Sequence, residues 1–193
     1  MEKLRIMSFD LDSFTLVKGK EERSKRVIDY LRKIDVDFCM LQGNNNSLYD
    51  LSTRLDGYDI IYDYYSSMFL LKSRLDTVDN FSSVDYSAIV TKLDGKDTAF
   101  CSIKKLKKES LGKLRDILEE YKNIDHKVVA GTLQNVNIDD FCKKYNLNNV
   151  CSKPRSNHIL VSRGLDAKVV DAKVMKSVEV QPMVVDVTYK KVR

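Results

Sequence analysis

Tryptophan is absent from this sequence, proline occurs twice, and glycine occurs seven times in 193 residues. Collagen-like and low-complexity readings fall at once, and with aliphatic and aromatic residues throughout, so does disorder. Histidine is equally scarce, at two, and the four cysteines (Cys39, Cys101, Cys142 and Cys151) form no C-x-x-C pair. That spacing argues against a zinc site, and Cys39 and Cys101 inside apolar runs fit buried thiols of a reducing compartment. No run approaches the ~18 to 20 apolar residues of a membrane span. The opening MEKLRIMSFDLDSF lacks the unbroken apolar core of a secretory signal. The expectation is a soluble intracellular protein, cytoplasmic or nuclear, with no membrane partner. A large excess of one charge is also missing: 33 Lys plus Arg against 28 Asp plus Glu leave +5. Such a balance permits an anionic partner without demanding one.

What is present is alternation and helical spacing. The length suits a single domain, here expected over residues 1–189 with a short basic tail at 190–193. Leu4 to Phe9 reads as a first strand. Val27, Ile28, Leu31 and Ile34 space a buried helical stripe, and Val36 to Leu41 reads as a buried strand. The run Gly43-Asn44-Asn45-Asn46 predicts a polar loop, followed by a helix over Leu48 to Leu55. Further strands are predicted at Tyr58 to Tyr62, Met68 to Lys72, Lys127 to Ala130, Ile159 to Ser162, Lys168 to Val174 and Met183 to Tyr189. Tyr86 to Leu93 and Thr98 to Ile103 flank Asp94-Gly95, a hairpin turn whose residues tolerate positive φ. Helices are predicted over Leu111 to Tyr121 and Ile138 to Tyr145. Many strands with a few amphipathic helices between them indicate a layered α/β domain.

Several of these segments, in this order, resemble the endonuclease/exonuclease/phosphatase superfamily of DNase I-like nucleases and phosphatases. LRIMSFDLDSF resembles its opening strand, and RVIDYLRKIDVDFCMLQG its first helix and a second strand that usually ends Leu-Gln-Glu. SSMFLLKSRL, AFCSIKKL and SNHILVSRGL resemble later strands. LGKLRDILEEYKNIDHKVVAGTLQ resembles the helix and strand that end Gly-Asp-Phe-Asn, and VEVQPMVVDV the closing Ser-Asp-His segment. The resemblance spans nearly the whole chain. It implies a four-layered sandwich: two mixed β-sheets with helices on both outer faces.

It also implies a test of chemistry, since family members hydrolyse phosphoesters with Mg²⁺ held by carboxylates. The family's first-strand Asn falls on Asp10, its metal-binding Glu on Gly43, and its mid-chain His on Lys105. The Asp and Asn of Gly-Asp-Phe-Asn fall on Thr132 and Gln134, and a later Asp on Asn157. The closing Asp and His fall on Glu179 and Val180, or on Val180 and Gln181 with a one-residue slip. Essentially every catalytic position is altered, and such losses cost roughly 10⁴- to 10⁶-fold in rate. The resemblance therefore implies a non-catalytic chain with no metal, reused as a binding or structural module. The alternative is a divergent Mg²⁺-dependent phosphoesterase using Asp10, Asp12 and Glu179, with His158 assisting; otherwise His158 is a structural, hydrogen-bonded residue. Two kinds of partner stay open. Lys104, Lys105, Lys107, Lys108 and Arg155 would contact a nucleic acid or other polyanion. Tyr64 and Tyr65, in a tyrosine-rich region with Tyr58, Tyr62, Phe69 and Tyr86, would dock a protein or pack into the core.

Overall fold

A computed structural model of the chain describes residues 2–14, 19–62, 67–72, 75–82, 86–93, 95–106, 111–133, 137–150, 157–170, 178–179 and 181–189. They form two six-stranded sheets. The first contains β1 (Glu2–Asp10), β2 (Phe38–Gln42), β3 (Asp59–Tyr62), β4 (Ser67–Leu71), β11 (Asp166–Val169) and β12 (Met183–Tyr189). Its order is β11-β12-β1-β2-β4-β3. The second contains β5 (Thr77–Ser82), β6 (Tyr86–Leu93), β7 (Lys96–Leu106), β8 (His126–Leu133), β9 (Leu147–Asn149) and β10 (His158–Ser162). Its order is β5-β6-β7-β8-β10-β9.

Both sheets are mixed. β1 runs parallel to β2 and β7 parallel to β8, while the other pairs are antiparallel. A parallel pair needs a long crossover, and each is supplied by a helix: α1 (Lys20–Ile34) joins β1 to β2, and α3 (Leu111–Glu120) joins β7 to β8. The helix α1 ends because Asp35 turns left-handed, at φ 56°, and its N–H caps the Leu31 carbonyl. Two shorter helices complete the layers, α2 (Asn45–Ser52) and α4 (Ile138–Lys144).

Strict alternation sorts the strands' side chains. Leu4 and Ile6 of β1, Phe38 and Met40 of β2, Phe100 of β7, Val128 and Ala130 of β8, and Ile159 and Val161 of β10 face inward between the sheets. Phe38 stacks on Phe100 there, with ring centroids 4.1 Å apart. The alternate residues face outward. Met7, Phe9, Cys39 and Leu41 meet Val27, Ile28 and Leu31 of α1 and Leu48 and Leu51 of α2. Cys101, Val129 and Leu160 meet Leu118 of α3 and Phe141 and Cys142 of α4. Helix, sheet, sheet, helix is the layer order that the resemblance implies.

Some expectations change. Asn44 to Asn46 is not a loop: the Asn44 side chain accepts from the Ser47 N–H and caps α2, whose first residues are Asn45 and Asn46. The strand expected over Lys168 to Val174 is described only as β11, and residues 171–177 lie outside the described residues. Of the hairpin turn, Gly95 takes φ 71° and Asp94 is outside the described residues.

Candidate functional site

The inward row of each central strand begins apolar and ends polar. Ser8 stands two residues past Ile6, Gln42 two past Met40, Ser102 two past Phe100, and Thr132 two past Ala130; Asn157 precedes Ile159 by two. All five are buried, Ser8, Gln42, Ser102 and Asn157 completely. Ser8, Gln42, Ser102 and Thr132 lie toward the carboxyl ends of β1, β2, β7 and β8, the end where sheets with parallel strands commonly bind ligands, and Asn157 joins them from just before the start of antiparallel β10.

Burying so many polar groups requires that they bond to one another. Gln42 Nε2 donates to Ser102 Oγ at 3.0 Å, to Ser8 Oγ at 3.3 Å and to the Met40 carbonyl at 3.0 Å. The Asn157 amide lies 2.8 Å from the Gln42 amide, 3.1 Å from Ser8 Oγ and 3.3 Å from Thr132 Oγ1. Turned so that its oxygen faces β1, it accepts the Phe9 and Asp10 N–H groups at 3.2 Å each, and its nitrogen donates to Thr132. This network ties both sheets together through neutral amides and hydroxyls.

Above it, the chain places its charges. Asp10 Oδ1 accepts the Asp12 N–H at 2.9 Å and caps a 3-10 turn over Leu11–Ser13. Asp12 Oδ1 accepts from the Asn44 N–H at 3.1 Å and from Asn44 Nδ2 at 2.6 Å. Asp12 Oδ2 pairs with Lys104 Nζ at 3.3 Å, and the same ammonium donates to the Gly43 carbonyl at 2.9 Å. A Cβ on Gly43 would stand 3.2 Å from Leu11 Cβ, a tight fit. Below, Gly131 takes φ 145°, and a Cβ there would fall 1.9 Å from the Ile103 carbonyl oxygen. Only glycine lets β8 pass β7 at that point.

So Asp10, Gly43, Thr132 and Asn157, picked out by the resemblance, do converge, and Asp12 and Lys104 join them. Glu179 is exposed and flanks the 3-10 turn, its N–H donating to the Ser13 carbonyl at 2.7 Å. His158 does not join. One residue past Asn157, it points to the opposite face of the sheet, half-buried over Gly131. Burial lowers its imidazole pKa below 6.5, and its Nδ1 has no partner. The Lys105 backbone lies in β7, but its side chain is outside the described residues, as are Lys107, Lys108, Gln134, Arg155, Val180, Tyr64 and Tyr65. Of the remaining tyrosine-rich region, Phe69 is buried, Tyr58 donates to the Val36 carbonyl at 2.9 Å and Tyr62 to the Asn45 carbonyl at 3.1 Å. These residues serve packing.

No protein-family model and no curated protein matches this sequence. Solved structures do. An endonuclease/exonuclease/phosphatase family protein from Bacteroides thetaiotaomicron superposes with a TM-score of 0.75 at 15% identity, covering 98% of this chain and 96% of that one. The fold is the DNase I-like sandwich. D. rerio TDP2 complexed with a single strand DNA product gives a TM-score of 0.73 at 11% identity, covering 98% of this chain and 100% of the other. The endonuclease domain of TRAS1, a telomere-specific non-LTR retrotransposon, gives 0.67 at 8% identity, over 97% and 100%. Identities this low show shared architecture, and the chemistry has to be argued from this chain's own side chains. Among the described residues, no three His, Cys, Asp or Glu side chains gather where a metal ion would sit, and no helix is long and apolar enough to cross a membrane.

Proposed function

We propose that this chain is a nuclease-like domain without catalytic activity, used as a binding or structural module in a protein or nucleic-acid assembly. The observation that carries this reading is the donor set at the carboxyl ends of the central strands. A divalent cation of this fold wants several anionic oxygens. Here the floor is Ser8, Gln42, Ser102, Thr132 and Asn157, all neutral and all bonded to one another. Of the carboxylates above, Asp10 caps a turn and Asp12 is neutralised by Lys104. The residues present do not fit Mg²⁺, and no group among them is placed to deprotonate a water, since His158 faces away.

For the partner, a polyanion such as a nucleic acid is favoured over a protein, because Lys104 and Lys105 fall among the last residues of β7, at the end that carries the polar network, and Lys107 and Lys108 come next in the sequence. Arg155 and Lys105 would extend that contact. Binding through such residues weakens steeply as salt rises. Affinity for single-stranded DNA or RNA measured between 50 and 300 mM NaCl tests it; affinity unchanged across that range eliminates the contact through these basic residues.

The decisive experiment on activity is an assay of phosphodiester and phosphomonoester hydrolysis with and without Mg²⁺ and Mn²⁺. No metal-dependent turnover is expected. Turnover abolished by Asp10→Ala and Glu179→Ala would make the chain a divergent Mg²⁺-dependent phosphoesterase and overturn the reading.

A further inference from the structure

We propose that the Lys104 ammonium is a tethered counter-ion that closes the mouth of the polar network and keeps soluble cations out; this rests on the reading of the site as non-catalytic and gives it a physical cause. Lys104 continues the inward row of β7, two residues past Ser102, and crosses to the other sheet. There it meets two oxygens, the Gly43 carbonyl at 2.9 Å and Asp12 Oδ2 at 3.3 Å.

Those oxygens are held in place for it. Both protons on Asn44 that reach Asp12, from its backbone N–H and from Nδ2, go to Oδ1, which leaves Oδ2 turned toward Lys104. The Gly43 carbonyl is fixed by the buried end of β2 on one side and the capped start of α2 on the other. Lysine and aspartate side chains are each one-third exposed, so the pair stands at the rim, between solvent and the neutral amides beneath.

An ammonium is a compact point charge with several donors, and a hard metal ion seeks the same carboxylate and carbonyl oxygens. The tethered charge has an advantage over a free one, because it is supplied at a high effective concentration by the strand that carries it. A divalent ion arriving from solution must displace Lys104 and then tolerate a second positive charge nearby. The contact also joins β7 of one sheet to β2 and the 3-10 turn of the other, so the same side chain latches the two sheets above their shared network.

The test uses Lys104→Met in the full chain, with Lys104→Arg as the charge-retaining control and Mn²⁺ as the probe, followed by titration calorimetry and by the spin-resonance signal of free Mn²⁺. Removal of the ammonium is expected to tighten Mn²⁺ binding at least tenfold over wild type. Lys104→Arg should bind no more tightly than wild type, and adding Asp12→Asn to Lys104→Met should cancel the gain. A folded Lys104→Met chain that takes up Mn²⁺ no better than wild type overturns the proposal, as does a gain that survives Asp12→Asn. If Lys104→Met does not fold, Lys104→Gln is read in the same way. Metal-dependent turnover by the wild type would sink the non-catalytic reading, whereas an inert wild type with no gain in Lys104→Met would sink the counter-ion alone.

Discussion

Replacing Asn157 by leucine is the sharpest probe of the buried layer. The two side chains are close in size, so the change removes hydrogen bonding with little loss of packing volume. It deprives the Gln42 amide of a neighbour at 2.8 Å, Thr132 Oγ1 of one at 3.3 Å, and the Phe9 and Asp10 N–H groups of an acceptor at 3.2 Å each. A buried polar group left unsatisfied costs about 1–3 kcal/mol, so even two groups left without a substitute partner predict a loss of at least about 2 kcal/mol. Domains of this kind hold only about 5–15 kcal/mol in total. Ser102→Ala is the calibrating variant: it removes one acceptor of Gln42 Nε2 at 3.0 Å and should cost about 1 kcal/mol. Urea denaturation followed by far-ultraviolet circular dichroism suits a chain without tryptophan. The midpoint should fall with the slope unchanged. An Asn157→Leu stability within about 0.5 kcal/mol of wild type would refute the claim that these amides depend on one another.

Three other outcomes follow from single observations. Gly131→Ala should abolish folding or cost more than about 4 kcal/mol, because its Cβ would overlap the Ile103 carbonyl; a soluble variant with a near-normal melting temperature would show that β8 can shift away. Thr91→Val should raise the melting temperature, by about 1 kcal/mol of stability, since it removes a fully buried hydroxyl that has no partner; a lower melting temperature would mean that this hydroxyl is bonded. Burial depresses the His158 pKa below 6.5, so the unfolded chain binds a proton that the folded chain resists. The resulting stability is complete above pH 6.5 and is lost as pH falls through the folded value. His158→Gln should flatten that slope in melting curves taken from pH 7.5 to 5, and identical slopes would contradict it.

Much of the architecture was legible because alternation and helical spacing are strong signals. β6 and β12 match their expected spans, Tyr86–Leu93 and Met183–Tyr189, residue for residue, and α3 nearly so. β5, with sequence TVDNFS, was missed because its described side chains are exposed on a sheet edge, so no apolar row marks it. β9 is three residues long and carries no pattern at all. At the site, the resemblance located Asp10, Gly43, Thr132 and Asn157, while Ser8, Gln42 and Ser102 went unnoticed. Their signal was present: each continues an inward apolar row by two residues. Serine and glutamine at such positions read locally as ordinary strand-end residues until the two sheets are stacked and the rows meet. The pairing of Lys104 with Asp12 had no sequence signal either, since it joins residues on different sheets.

The order of strands in the first sheet has a consequence for how the molecule comes into being. β1 is flanked on one side by β2, made soon after it, and on the other by β12, and the Arg5–Asp186 bond between β1 and β12 spans 181 positions. During synthesis, one edge of β1 must therefore stay open until nearly all the intervening residues have been made. Closing such a distant pair is slow, and an open edge can recruit a neighbouring nascent chain. Arg5 and Lys3, both meeting Asp186, put positive charge along that waiting edge, and repulsion between two copies would deter them from joining there before β12 arrives.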